Sequence, residues 1–239
     1  MTTRWIFLGL LSLVLVTTHP WGGPVRTALD GVSGLDQLQA LPDLLLGRGD
    51  GYALTRTTES GEPVRWHHCG TVPVLVNASD GTTADIVAAV SEVADRTGLD
   101  LQVVGDTELV PQLDWPAGVE PVGSYPYPPV VIAETAADET GILHEGDNGA
   151  AVTKEAAVGG TRQLVTGTVL LNADELDGFD AGFGPGLSRG NVILHELGHL
   201  VGLAHVAGNE LMHAYISPRT PDGFTDGDVA GLEAVSVDC

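Results

Sequence analysis

His195-Glu196-Leu197-Gly198-His199-Leu200-Val201-Gly202-Leu203-Ala204-His205 is the stretch on which the reading of this chain turns. With Val192, Ile193 and Leu194 ahead of it, the run is apolar nearly all round, the pattern of a helix buried in a core. Ionisable groups on such a helix need a partner, because an unpaired buried charge is costly. Residues four apart share a helix face, so His195 and His199 can grip one ion. A helix continuing past His199 would carry His205 about 9 Å further along. The chain must therefore leave the helix and turn back, and Gly202 stands where glycine makes that turn most cheaply.

Imidazole ligands suit zinc, and three histidines leave a fourth position for water. The expected cofactor is one catalytic Zn2+ held by His195, His199 and His205. Glu196, next to the first ligand, is expected to act as general base on a water whose pKa the metal draws toward about 7. A bare H-E-x-x-H is moderate evidence; the extended form with Gly202 and His205 in register is much rarer.

The eleven-residue motif resembles that of the metzincin zinc peptidases. A second match is Asn209-Glu210-Leu211-Met212-His213-Ala214-Tyr215, which resembles the family's Met-turn, with Met212 seven residues after His205. That separation, and the ending Phe224-Thr225-Asp226-Gly227-Asp228-Val229-Ala230-Gly231-Leu232, look most like the matrixin branch as it occurs in bacterial matrixin-like proteins. The opening Pro63-Val64-Arg65-Trp66-His67-His68-Cys69 resembles the entry to their catalytic domain, so the likeness covers roughly residues 62–239. It implies a zincin-like fold: a twisted sheet of about five strands with an active-site helix and a C-terminal helix. It also implies an antiparallel edge strand, assigned by element order to Ala150–Val158, that binds an extended protein or peptide substrate by strand addition. Departures concern the branch. Val206 follows the third histidine where sister branches carry Ser, Glu, Pro or Asp, and Met212-His213-Ala214-Tyr215 replaces Met-Tyr-Pro. Tyr215 is a candidate for stabilising the tetrahedral intermediate, with core packing the preferred alternative. No cysteine-switch motif is present.

Around this centre, periodicity gives a strand at Thr71–Asn77 and a helix over Thr82–Thr97, opened by a Thr82/Asp85 capping box and closed by Gly98. Strands follow at Leu101–Val104 and Val130–Ala133, flanking a proline-rich loop from Pro111 to Pro129. Two more, Ala150–Val158 and Leu164–Asn172, are separated by Gly159-Gly160, and a last helix opens at Thr225 with Asp228 completing a capping box. The order describes an α+β (mixed α/β) domain.

Residues 1–24 read as a signal peptide: Arg4 precedes the apolar run Trp5–Val16, too short to span a bilayer comfortably. No small-x-small cleavage site follows, so an uncleaved anchor is the alternative. Residues 25–61 read as a linker or short pro-segment, and 62–239 as the catalytic domain. No membrane span is expected after processing. The secreted setting invites a disulfide between Cys69 and Cys239. The chain carries 32 acidic residues against 10 basic ones, a formal charge of −22, which argues against nucleic-acid and anionic-membrane partners. A monomer is expected.

His144-Glu145-Gly146-Asp147-Asn148 offers ligands for a structural cation, Ca2+ or a second Zn2+, with a plain acidic turn preferred. Asp174, Glu175, Asp177 and Asp180 offer oxygen ligands for calcium, with a solvated loop an equal alternative. His213 is either a pocket residue or an exposed one. Asn77-Ala78-Ser79 is a glycosylation sequon. The function expected is therefore a secreted zinc endopeptidase. Its rivals are a silent binding protein keeping the zinc fold, against which the intact Glu196 argues, and a zinc amidase acting on cell-wall peptides.

Overall fold

The computed structural model describes residues 51–66 and 70–237. The signal segment, residues 25–50, His67, His68 and both ends of the Cys69–Cys239 pair lie outside the described residues. The elements run β1 (Ala53–Leu54), β2 (Val72–Asn77), α1 (Asp80–Thr97), β3 (Leu101–Asp106), β4 (Val130–Thr135), β5 (Gly149–Val158), β6 (Thr161–Asn172), α2 (Ala173–Leu176), α3 (Arg189–Val201), β7 (Leu203–Ala204) and α4 (Asp226–Ala234). Helices and sheet together make an α+β fold.

The main sheet has the order β3-β2-β4-β6-β5. Its first four strands are parallel, and β5 runs antiparallel to β6 at the edge. That edge falls where the Ala150–Val158 expectation put it. Gly159 and Gly160 both take positive φ, 59° and 89°, the signature of a two-residue turn whose twist matches the strands it joins. Val158 therefore pairs directly with Thr161, and the register runs back to Gly149 opposite Leu171.

One sheet face is covered by α1 and α3. Ile86, Ala89, Val90 and Val93 of α1, and Val192, Ile193, Leu194, Leu197 and Leu200 of α3, meet Val72, Val74, Ile132 and Val169 from the strands. Each of the fully buried Leu and Ile side chains contributes roughly 1.5–3 kcal/mol. The other face carries a smaller core, in which Trp115, Ile142 and Leu143 from the long loops pack on Val131, Ala133 and Leu170. The proline-rich loop is pinned elsewhere by Tyr125, whose hydroxyl donates to the carbonyl of Val165 at 2.6 Å. Burial raises its pKa.

Two expectations need correction. The Thr82/Asp85 capping box does not form. Helix α1 starts at Asp80 after Ser79, and Glu134 at the end of β4 does the capping: its carboxylate accepts from the Ser79 amide (2.6 Å) and the Thr82 hydroxyl (2.5 Å). Asp85 is thereby free to join α1 to α3, accepting from Arg189 Nε and Nη2 (both 2.7 Å) and from the amide of Gly182 (3.0 Å). Residues 51–61, read as the end of a linker, belong to the folded unit: β1 pairs with β7, and Arg56 meets Glu155 of β5 at 3.1 Å. The Thr225/Asp228 capping box forms as expected.

Among the described residues no helix is long and apolar enough to cross a membrane.

Candidate metal centre

Helix α3 is capped at its start by Ser188, whose hydroxyl accepts from the amide of Asn191. It ends at Gly202, in the left-handed region at φ 119°, with its N–H bonded to the carbonyls of Gly198 and His199. That turn feeds the two-residue β7 and brings His205 back over the helix. The Nε2 atoms of His195, His199 and His205 converge to 3.1, 3.1 and 3.0 Å of one another. His195 Nδ1 donates to the carbonyl of Leu211 and His199 Nδ1 to that of Leu203, both at 2.8 Å. A neutral ring that donates from Nδ1 presents a lone pair at Nε2. The Nε2 atoms of His195 and His199 are therefore acceptors facing each other, an arrangement that a cation relieves.

Spacing and protonation both fit a metal. A triangle with edges of 3.0–3.1 Å has its corners about 1.8 Å from its centre, just under the zinc–nitrogen distance of about 2.0–2.1 Å. Burial, with His199 adding to it, lowers the His195 pKa from 6.5 to about 3, against the opposing pull of the Leu211 carbonyl. Burial and the neighbouring histidines lower His205 well below its ordinary value too. These two rings are neutral at pH 7, the form that binds metal. Among the described residues, His195, His199 and His205 are the one group of three or more His, Cys, Asp or Glu side chains whose ligand atoms come together to hold a metal ion.

Glu196 is 6% exposed and lies against the start of β5. A Cβ on Gly149 would stand 2.8 Å from Glu196 Cγ, so the strand can pass over the carboxylate only as glycine there. Burial, then the charge of Asp147, raises the Glu196 pKa from 4.5 to about 8. Beneath the helix, Met212 is 1% exposed and its Sδ fills the space where a Cβ on Gly198 would stand. Its turn is tied down by Asp228, completely buried on α4, which accepts from the amides of Leu211 (2.7 Å) and Met212 (3.1 Å). Leu211 is thus gripped at both ends, by Asp228 at its N–H and by His195 at its carbonyl.

The structure brings His195, Glu196, His199, Gly202, His205 and Met212 together. Tyr215 is 46% exposed, which removes the core-packing alternative; its ring lies 5.9 Å from that of His213, which is half-buried near His195 and His205. His144 Nδ1 meets Asp138 at 3.3 Å, but the 144–148 turn assembles no group of three ligands. Asp174, Glu175, Asp177 and Asp180 are all exposed, the first two on α2, and their carboxylates do not draw together into a group of three ligands.

Four contributors escape a reading of the sequence. Asp228 shows only a cap signature, Gly149 and Gly198 are two glycines among 32 in the chain, and Asn191 looks like a helix-start residue. In the structure the Asn191 amide is fully buried, donating to the carbonyls of Gly184, Gly186 and Pro221 and accepting from Gly223 N–H. It staples the loops on both sides of the site to α3.

No family model matches this chain, and no curated protein matches it significantly.

Proposed function

We propose that the chain is a secreted zinc-dependent endopeptidase of metzincin type on a zincin-like fold. The observation that carries this reading is the convergence of three histidine Nε2 atoms next to a buried carboxylate, Glu196, under an antiparallel edge strand. His195, His199 and His205 would hold zinc. Zinc bound there supplies Lewis acidity that draws a water's pKa toward about 7, and a positive charge that favours the ionised form of Glu196. The Glu196 carboxylate takes the proton of the attacking water and delivers it to the departing amide nitrogen. The outer edge of β5 offers backbone donors and acceptors to an extended peptide, and Gly149 lets that edge run close to Glu196. Met212 and Asp228 keep the floor of the site fixed while this happens. Secretion rests on the apolar segment Trp5–Val16 behind Arg4.

The test is zinc content and casein cleavage measured on the wild type and on Glu196→Gln. One zinc per chain in both, with chelator-sensitive cleavage in the wild type alone, is the expected result. A wild-type chain that takes up no zinc overturns the reading.

A further inference from the structure

The short sheet of β1 and β7 lies where it can control the third histidine. β7 is two residues long and fills the space between the turn at Gly202 and His205. On one side its Leu203 carbonyl accepts from His199 Nδ1. On the other, β1 pairs with it, Ala53 opposite Ala204 and Leu54 opposite Leu203. Thr55 then closes the turn itself: its amide and its hydroxyl both donate to the Gly202 carbonyl, at 2.9 and 3.1 Å.

The segment carrying β1 is anchored independently at both ends. At its start, Gly51 and Tyr52 lie in a shallow groove on α4 made by Gly227 and Gly231, four apart on one helix face. A Cβ on Gly227 would stand 2.5 Å from the Gly51 carbonyl oxygen, and one on Gly231 would stand 2.8 Å from Tyr52 Cβ. At its far end, Arg56 bonds Thr153 Oγ1 (3.0 Å) and Glu155 (3.1 Å) on β5. A strand stretched between two fixed elements holds whatever it pairs with in the middle. A two-strand pair standing alone in water is marginal at best, so it is these anchors that make β1 a firm partner.

We propose that residues 51–56 form a positioning strap that pre-sets His205 for metal binding, with Thr55 as its key residue; this rests on the zinc reading above. The backbones of His195 and His199 are set by helix α3 itself, and their rings are oriented by the Leu211 and Leu203 carbonyls. His205 follows a glycine and a two-residue strand, and without the strap it must be ordered at the moment of binding. Partners that orient ligands in this way typically change metal affinity about 10–100-fold.

The experiment measures zinc affinity by chelator competition, and the visible spectrum of the Co2+-loaded protein, on full chains. Thr55→Pro removes both donors to Gly202. Gly231→Ala crowds Tyr52 and also Leu203 Cδ2, 2.9 Å from the added Cβ, so it loosens the β1–β7 pair from both partners while improving the intrinsic helix propensity of α4; Thr55→Val, which removes only the hydroxyl donor to Gly202, isolates the strap. Urea unfolding of the metal-free forms is followed alongside. The expected result is a zinc dissociation constant raised about 10–100-fold in Thr55→Pro and Gly231→Ala, with a weakened and shifted cobalt spectrum, while the metal-free forms still unfold in one cooperative urea transition. If Thr55→Pro does not fold, Gly231→Ala and Thr55→Val decide. A dissociation constant within twofold of wild type in the folded variants overturns the strap, while the zinc reading stands. A wild type that binds no zinc overturns the zinc reading and the strap with it.

Discussion

Replacing Asp228 by alanine removes one carboxylate and strands four donors. The amides of Leu211 and Met212 are buried, and the amide and hydroxyl of Thr225, at 3.0 and 2.9 Å, are partly so. Hydrogen bonds to a charged acceptor contribute about 1.5–3 kcal/mol each, and a buried donor left alone keeps its full desolvation cost. The two Thr225 donors can turn to water; the Leu211 and Met212 amides cannot. Counting those two, Asp228→Ala should cost about 3–5 kcal/mol. Asp228→Asn keeps the shape but loses the charge and faces an NH2 toward donors, and should cost about 2 kcal/mol. Urea unfolding of the metal-free protein, with unchanged slope, reads both. Because Leu211 also receives His195 Nδ1, zinc affinity should drop in Asp228→Asn as well. An alanine variant within about 1 kcal/mol of wild type would refute the reasoning, since it would mean that the Met212 turn holds itself.

Gly198→Ala places a methyl on Met212 Sδ, and overpacking of this kind costs about 1–3 kcal/mol; made in a Met212→Ala background, where the methyl has room, the same change should cost little, and a thermal-unfolding cycle showing the full cost in both backgrounds would contradict the packing. Metal-free stability should also pass through a maximum near pH 6.5. His195 and His205 have folded pKa values depressed below 6.5, so their contribution is lost as the pH falls toward the His195 value of about 3. Glu196 is raised to about 8, so its contribution, full below 4.5, is lost as the pH rises to 8. Above pH 6.5 the Glu196 slope should reach about 1.4 kcal/mol per pH unit, and Glu196→Gln should flatten it; an unchanged slope in that variant would count against the carboxyl's burial.

What could be read from the chain was whatever repeats along it. The α3 motif spells out its own geometry because helical spacing and the Gly202 turn act between near neighbours, and the β5–β6 hairpin is announced by Gly159-Gly160. The Thr82/Asp85 box failed for the opposite reason. Thr82 and Asp85 found better partners in Glu134 and Arg189, 52 and 104 residues away, and local capping gave way to them. Asp228 shows both sides at once: its cap on Thr225 was legible, while its grip on the Met212 turn needed the fold. The pairing of β1 with β7 left no trace, since two-residue strands have no period to detect.

The amide of Thr55 and the carbonyl it meets are 147 residues apart, Arg65 reaches the carbonyl of Ala234 across 169, and Asp228 secures the loop beneath His195. Contacts this distant form late, after local helices and hairpins. A chain still emerging from the ribosome can build α3, with two histidines on one face, yet the strap that holds the third lacks one of its two anchors, and the Met212 turn its Asp228 tie, until α4 is present. Assembly of the triad is thereby tied to elements on both sides of it in the chain, and a polypeptide that stops short of α4 lacks a firmly seated histidine cluster.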